Sequence, residues 1–144
     1  MPYPAPTPPG GDPHNIHELL AVETLEAGPE RVVLRLPVTW QVHQPFGILH
    51  GGVSALLAES AASLGAMLAA GPERRVVGIE LNASHLRALR DGYLTAEATP
   101  VRVGRTMQVW HIALTGDDGR AVCDARCTLA VVDATDPPAD GSSG

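Results

Sequence analysis

Between Gly51 and Ala70 the chain carries twenty residues, GGVSALLAESAASLGAMLAA, whose apolar side chains fall on nearly every face of a helix. A helix on a protein surface shows one apolar stripe; one that is apolar all round has to be covered all round. Ala, Gly and Ser dominate the segment, so neighbouring backbone can approach it closely. Glu59, Ser60, Ser63 and Gly65 interrupt the apolar run, which argues against a membrane span. Gly71-Pro72 ends the helix. Whatever this chain folds into must therefore wrap a single long helix.

The wrapping material is legible on both sides of it. Ahead of the helix, Arg31–Val38 alternates, with Val32, Leu34, Leu36 and Val38 on one face, and reads as the first strand. After it come four long strand-like runs, Arg75–Ser84, Tyr93–Val103, Thr106–Thr115 and Arg120–Val132, with short links between them. Asp118-Gly119 between the last two is a hairpin signal. One helix against strands joined by short antiparallel links is an α+β architecture, a curled antiparallel sheet around a central helix. Asn15 can cap a short helix over Ile16–Val22. Residues 1–13 hold six of the chain's thirteen prolines, and residues 133–144 (DATDPPADGSSG) are equally poor in structure-forming signal. The expected organisation is a tail over 1–14, one folded domain over 15–132 and a second tail over 133–144.

At 144 residues and 44% hydrophobic content the chain can bury a real core, but with 3% aromatics that core must come from Val, Leu, Ile and Ala. A net charge of −6 argues against nucleic acid as a partner, though not against a small anion held by a few Arg residues. No basic segment followed by an apolar run opens the sequence, so a cytoplasmic location is expected by default. Cys123 and Cys127 sit four apart in one expected strand, about 13 Å from each other at about 3.3 Å per residue. Two buried free thiols are expected there, rather than a disulfide or a metal pair. No His-x-x-x-His or Cys-x-x-Cys spacing points to a metal, no Gly-x-Ser-x-Gly elbow surrounds Ser54, and no glycine-rich phosphate loop occurs.

Chemistry gathers where the run Gln44-Pro45-Phe46-Gly47-Ile48-Leu49-His50-Gly51-Gly52 enters the helix. Gly51 and Gly52 offer backbone N–H groups that lack intrahelical partners, at the positive end of the helix dipole. An acyl oxygen gaining charge in a tetrahedral transition state would be stabilised there; a glycine turn with no further role is the plainer alternative. Glu59 weighs against that alternative, because a carboxylate in the middle of an apolar helix is expensive to bury without a purpose. Gly52, Leu56, Glu59 and Ser63 follow helical spacing, so a hydroxyl stands one turn from the carboxylate and the pair can hold and deprotonate a water. His85 follows a strand, and Arg87, Arg90, Arg102 and Arg105 concentrate base in an acidic chain, a candidate site for coenzyme phosphates.

These residues resemble the hotdog-fold acyl-CoA thioesterases, specifically the group of 4-hydroxybenzoyl-CoA, aryl-CoA and menaquinone-pathway (1,4-dihydroxy-2-naphthoyl-CoA) enzymes with a catalytic Glu. The matching motifs are Gln44 to Gly52 with Leu57-Ala-Glu59-Ser60, Val77-Gly-Ile-Glu-Leu-Asn-Ala-Ser-His85-Leu-Arg87, Gly104-Arg105-x-x-Gln108-Val-Trp110 and Gly119-Arg-x-Val-Cys123. The resemblance covers about Arg31 to Val132. The resemblance implies a hotdog fold and thioester hydrolysis without a separate cofactor, coenzyme A being part of the substrate. It implies Glu59 as nucleophile or general base, Gly51 N–H as oxyanion donor, and Gln44 and His50 as groups that orient the thioester. Ser63 then holds the attacking water, His85 lies near the pantetheine or acyl group, and Gly104 and Arg105 meet coenzyme A. Phe46, Leu64 and Met67 are candidates to line the acyl pocket.

Two other readings share this fold, a hydratase or dehydratase acting on acyl thioesters and a non-catalytic acyl-CoA-binding module. Glu59 on the helix argues against the second. Gly51 and Glu59 are eight residues apart, roughly 12 Å along a helix at about 1.5 Å per residue. One helix cannot place both against the same thioester carbonyl, so a site shared between two copies of the chain is expected, in a homodimer or a pair of dimers.

Overall fold

The computed structural model describes residues 11–134. The expected central helix is present over Gly51–Ala70 (α2), preceded by a short helix Ile16–Leu19 (α1) and strands Glu23–Ala27 (β1) and Val32–Pro37 (β2). Four strands follow, Arg74–His85 (β3), Tyr93–Val103 (β4), Met107–Thr115 (β5) and Ala121–Asp133 (β6). All six form one antiparallel sheet in the order β1-β2-β4-β5-β6-β3. The sheet curls around α2, which is the expected α+β architecture.

Alternation produces the wrapping. Along β5, Gln108, Trp110, Ile112 and Leu114 are buried while Met107, Val109, His111, Ala113 and Thr115 are not. In β6, Val122, Ala125, Cys127, Leu129 and Val131 point inward, and Cys123 is buried as well. These inward faces pack on Leu57, Ala58, Ala61, Ala62 and Ala66 of α2, none of which retains exposed surface. By length and composition α2 is apolar enough to cross a bilayer; here it is the core helix of the sheet. Both cysteines are free and buried, as expected.

The core is aliphatic apart from one large residue. Trp110 lies against Gly65 of α2 so closely that a Cβ at position 65 would stand 2.5 Å from the ring. Its Nε1–H donates to Gln108 Oε1 at 2.8 Å, and Gln108 Nε2 donates to the Ala66 carbonyl at 3.1 Å. A fully buried amide is thereby satisfied at both ends.

Three expectations need correction. The first strand is β1, not the segment at Arg31–Val38. It is a short sheet edge whose only buried residue is Thr24, so it carries no apolar alternation to read. The N-terminal helix stops at Leu19, short of Val22, because Ala21 takes a left-handed φ of 55° as the chain turns into β1. Finally, α2 is not covered on every side. The sheet curls without closing, and Gly52, Glu59 and Leu68 stay exposed on the helix. Among the described residues β3 ends the sheet, paired to β6 alone, with Val77 and Ile79 of this strand 52% and 61% exposed.

Candidate active site

The loop leading into α2 is held in place by its backbone. Gln44 N–H donates to the Ile48 carbonyl at 2.8 Å, Gly47 N–H to the Gln44 carbonyl at 2.9 Å, and Leu49 N–H to the Leu89 carbonyl at 2.7 Å. Gly47, at φ 75°, adopts the left-handed turn that closes this loop. Gln44 also accepts the Phe46 N–H through its side-chain oxygen, which leaves its amide NH2 as a donor. His43 bonds the Arg90 carbonyl at 2.8 Å and ties the loop to the β3–β4 connection.

His50 is the N-cap of α2. Its Nδ1 accepts the Gly52 N–H at 2.8 Å. An accepting Nδ1 fixes the tautomer of the neutral ring, with the proton on Nε2, so His50 presents a donor away from the helix. The same bond corrects the expectation that both glycines offer free N–H groups. Gly52 is used by the cap; the Gly51 N–H meets no acceptor among the described residues. The imidazole of His85, at the end of β3, lies over Gly51, where any Cβ would stand 2.8 Å from Nε2. Gly51, His50 and His85 thus converge on the start of α2.

Glu59 is two turns further on and exposed. The cost of burying its charge, which drew attention to it in the sequence, is not incurred in the single chain. Its carboxylate instead reaches across the open flank to β3, where Oε1 lies 3.0 Å from the Cβ position of Gly78. Ser63, half buried, follows on the same face of α2. Behind them the Cys127 thiol is pushed up to about 11, first by burial and then by the negative charges of Glu59 and Glu80.

The remaining candidates lie elsewhere. Gly104 and Arg105 form the β4–β5 turn, where Gly104 N–H donates to the Met107 carbonyl at 2.9 Å and a Cβ on Gly104 would collide with that oxygen. Arg105 is exposed there. The Arg87 guanidinium bonds Asp118 Oδ1 at 2.9 Å and the carbonyls of Arg120 and Ala121, and so anchors the β5–β6 turn. Leu64 is in the core, while Phe46 is 85% exposed on the loop. Gly78 and the pair His17–Ser60 take part in this region, although the sequence assigned none of them a role. Each matters through a tertiary contact that spacing along the chain cannot reveal.

Sequence and fold are shared with known proteins. Residues 46–123 match the family model of the thioesterase superfamily. A 1,4-dihydroxy-2-naphthoyl-CoA hydrolase from Listeria monocytogenes is 43% identical over 116 residues, covering 81% of this chain and 94% of the relative. The chain belongs to the thioesterase superfamily. A proofreading thioesterase, EntH, from Cronobacter turicensis is 38% identical over 80% of this chain and 84% of its own. The crystal structure of a thioesterase from Haemophilus influenzae superposes with a TM-score of 0.81 at 39% identity, covering 84% of this chain and 85% of that one. For this thioesterase the hotdog architecture and the hydrolase class both follow.

Proposed function

We propose that this thioesterase hydrolyses an aryl-CoA thioester to the free acid and coenzyme A. The observation that carries the reading is Glu59, an accessible carboxylate on the open flank of α2, on the helix whose N-terminus presents the Gly51 N–H. Water supplies oxygen to the acyl carbon, the carbon–sulfur bond breaks, and the thiolate leaves and takes up a proton. Glu59 either attacks the carbonyl itself, forming an anhydride that water opens, or takes a proton from a water held at Ser63. The Gly51 N–H receives the charge developing on the carbonyl oxygen, with the His50 Nε2–H and the Gln44 amide NH2 orienting the thioester. His85 borders the acyl or pantetheine arm, and Gly104 with Arg105 meets the nucleotide end. The aromatic acyl preference rests on the resemblance and on the Listeria relative.

The active site is a dimer's. β3 is a twelve-residue strand with one edge unpaired among the described residues and apolar side chains exposed, a template for another strand. Gly51 lies by His85 and Glu59 by Gly78, at opposite ends of one stretch of β3. Antiparallel pairing of two β3 strands about an axis through that stretch sets Glu59 of one subunit beside Gly51 of the other.

A panel of aryl-CoA, aliphatic acyl-CoA and acyl-carrier-protein thioesters with a thiol-trapping dye tests this. Aryl-CoA should release thiol fastest, and Glu59→Gln should lower kcat by several orders of magnitude with KM largely kept. The buried cysteines, both raised by burial, contribute little background in the folded protein. Release of thiol from none of the thioesters, or near-normal turnover by Glu59→Gln, would end the proposal.

A further inference from the structure

Gly78 occupies the middle of a long strand, where glycine weakens the sheet and needs a reason. Conformation does not supply one. Among the described residues the positive-φ glycines are 47, 71, 92 and 119, so residue 78 has a backbone that any L-residue adopts. What the position uses is the missing side chain. A Cβ there would stand 3.0 Å from Glu59 Oε1, 3.2 Å from its Cδ and 3.5 Å from its Cγ. Immediately after it the register with β6 shifts between Gly78 and Glu80, leaving Ile79 as an extra residue. A bulge of this kind re-aims the strand locally and recurs beside functional sites.

Taken together these features form a notch in β3 that receives the carboxylate. We propose that Gly78 is a positioning residue for thioester hydrolysis, its bare Cα seating Glu59 so that the carboxylate oxygen is set by β3 as well as by α2. The inference rests on the assignment of Glu59 above and adds a second element to it. Glu has three rotatable bonds, and α2 alone fixes only where its Cα lies. Catalysis requires the attacking oxygen within a few tenths of an ångström of its place, and a displacement of about 1 Å can cost about 100-fold. Contact with the strand along Cγ, Cδ and Oε1 removes the rotamers that would carry the carboxylate away.

The predicted consequence of a methyl group is selective. The atoms it meets are the far end of a flexible side chain, so Gly78→Ala should fold and Glu59 should be the part that moves. The experiment compares four proteins, the wild type, Gly78→Ala, Glu59→Asp and the double variant, with one aryl-CoA substrate and with thermal unfolding of each. Gly78→Ala should lower kcat about 10-fold or more, with KM within about twofold and an unfolding temperature close to the wild type. Aspartate withdraws the carboxylate by one methylene from the added methyl. In the Glu59→Asp background the same Ala substitution should therefore cost less than about threefold. If Gly78→Ala unfolds early, the contact still predicts that the double variant regains the lost stability.

An equal loss from Gly78→Ala in both backgrounds, or unchanged kcat in Gly78→Ala, would overturn the seat. A rise in KM that grows with acyl size at constant kcat would also overturn it, since Gly78 would then make room for substrate. Failure of the Glu59 assignment shows itself separately, as activity retained by Glu59→Gln, and removes both.

Discussion

His17 Nε2 lies 2.7 Å from the hydroxyl of Ser60, joining the short N-terminal helix to the central helix one residue past Glu59. The contact is half buried, and burial lowers the His17 pKa from its ordinary 6.5. In the unfolded chain the imidazole takes its proton first as pH falls, so the unfolded state binds more protons below about 6.5. Stability is then untouched above that pH, declines as pH falls through it, and levels off below the depressed folded value. Thermal unfolding between pH 8 and pH 5 checks this. The wild type should lose more stability over that range than His17→Gln, and parallel curves for the two proteins would remove His17 as the cause.

A second prediction concerns the packing of the core. At Gly65 a methyl group would stand 2.5 Å from Trp110 Cη2, and the indole is tethered through Gln108 to the Ala66 carbonyl. Neither side can yield cheaply, so Gly65→Ala should destabilise by about 1–3 kcal/mol or more through overpacking. Gln108→Leu should cost about 1–3 kcal/mol by leaving the Trp110 N–H without its partner. Chemical denaturation measures both. Wild-type stability in Gly65→Ala would mean that the ring has room to move.

These two cases also mark what the sequence could say. The central helix is legible from Gly51 to Ala70 because twenty residues rich in Ala and Leu, without a proline and closed by Gly71-Pro72, read as one helix, and β4 is legible from Tyr93 to Val103. β1 is not, since a five-residue edge strand reading ETLEA buries only Thr24 and has no apolar period. Glu59 stands out in the sequence for a reason that the fold revises. Charge in an apolar helix signals function, but only the sheet topology shows that the flank beside β3 stays open. The use of Arg87 in the β5–β6 turn, the Gly78 notch and the His17–Ser60 bond join residues 31, 19 and 43 positions apart respectively, beyond the reach of any local pattern.

The third prediction separates two arginines that the sequence treated alike. Arg105 is exposed at the β4–β5 turn, and Arg87 is committed to Asp118 and two carbonyls. Arg105→Ala should raise KM for a CoA thioester more than for a truncated pantetheine thioester, and the difference should shrink as salt screens the charge. Arg87→Ala should leave both KM values alone and lower the unfolding temperature, because it strips acceptors of the β5–β6 turn of their donor. Equal effects of Arg105→Ala on the two substrates would remove Arg105 from the nucleotide end.

The fourth prediction is that no single chain holds a working site. Along α2, Glu59 is eight residues from Gly51, roughly 12 Å at about 1.5 Å per residue. The donor to a carbonyl oxygen and the group attacking its carbon both have to lie within about 3 to 3.5 Å of their targets. A partner related by a two-fold axis at the β3 edge meets that requirement. Glu59→Ala removes the attacking group and leaves the α2 entrance intact, while a Gln44→Ala/His50→Ala chain does the reverse. Each variant alone should be inactive as a homodimer. Unfolded together and refolded, they should form mixed dimers in which one of the two sites combines an intact entrance with an intact Glu59. A mixture at equal ratio should then recover about a quarter of wild-type activity, since half of the dimers are mixed and each carries one good site. Mixed dimers shown to form, for example by differently tagged chains that co-purify, yet as inactive as either parent, would place both groups in the same subunit and refute the shared site.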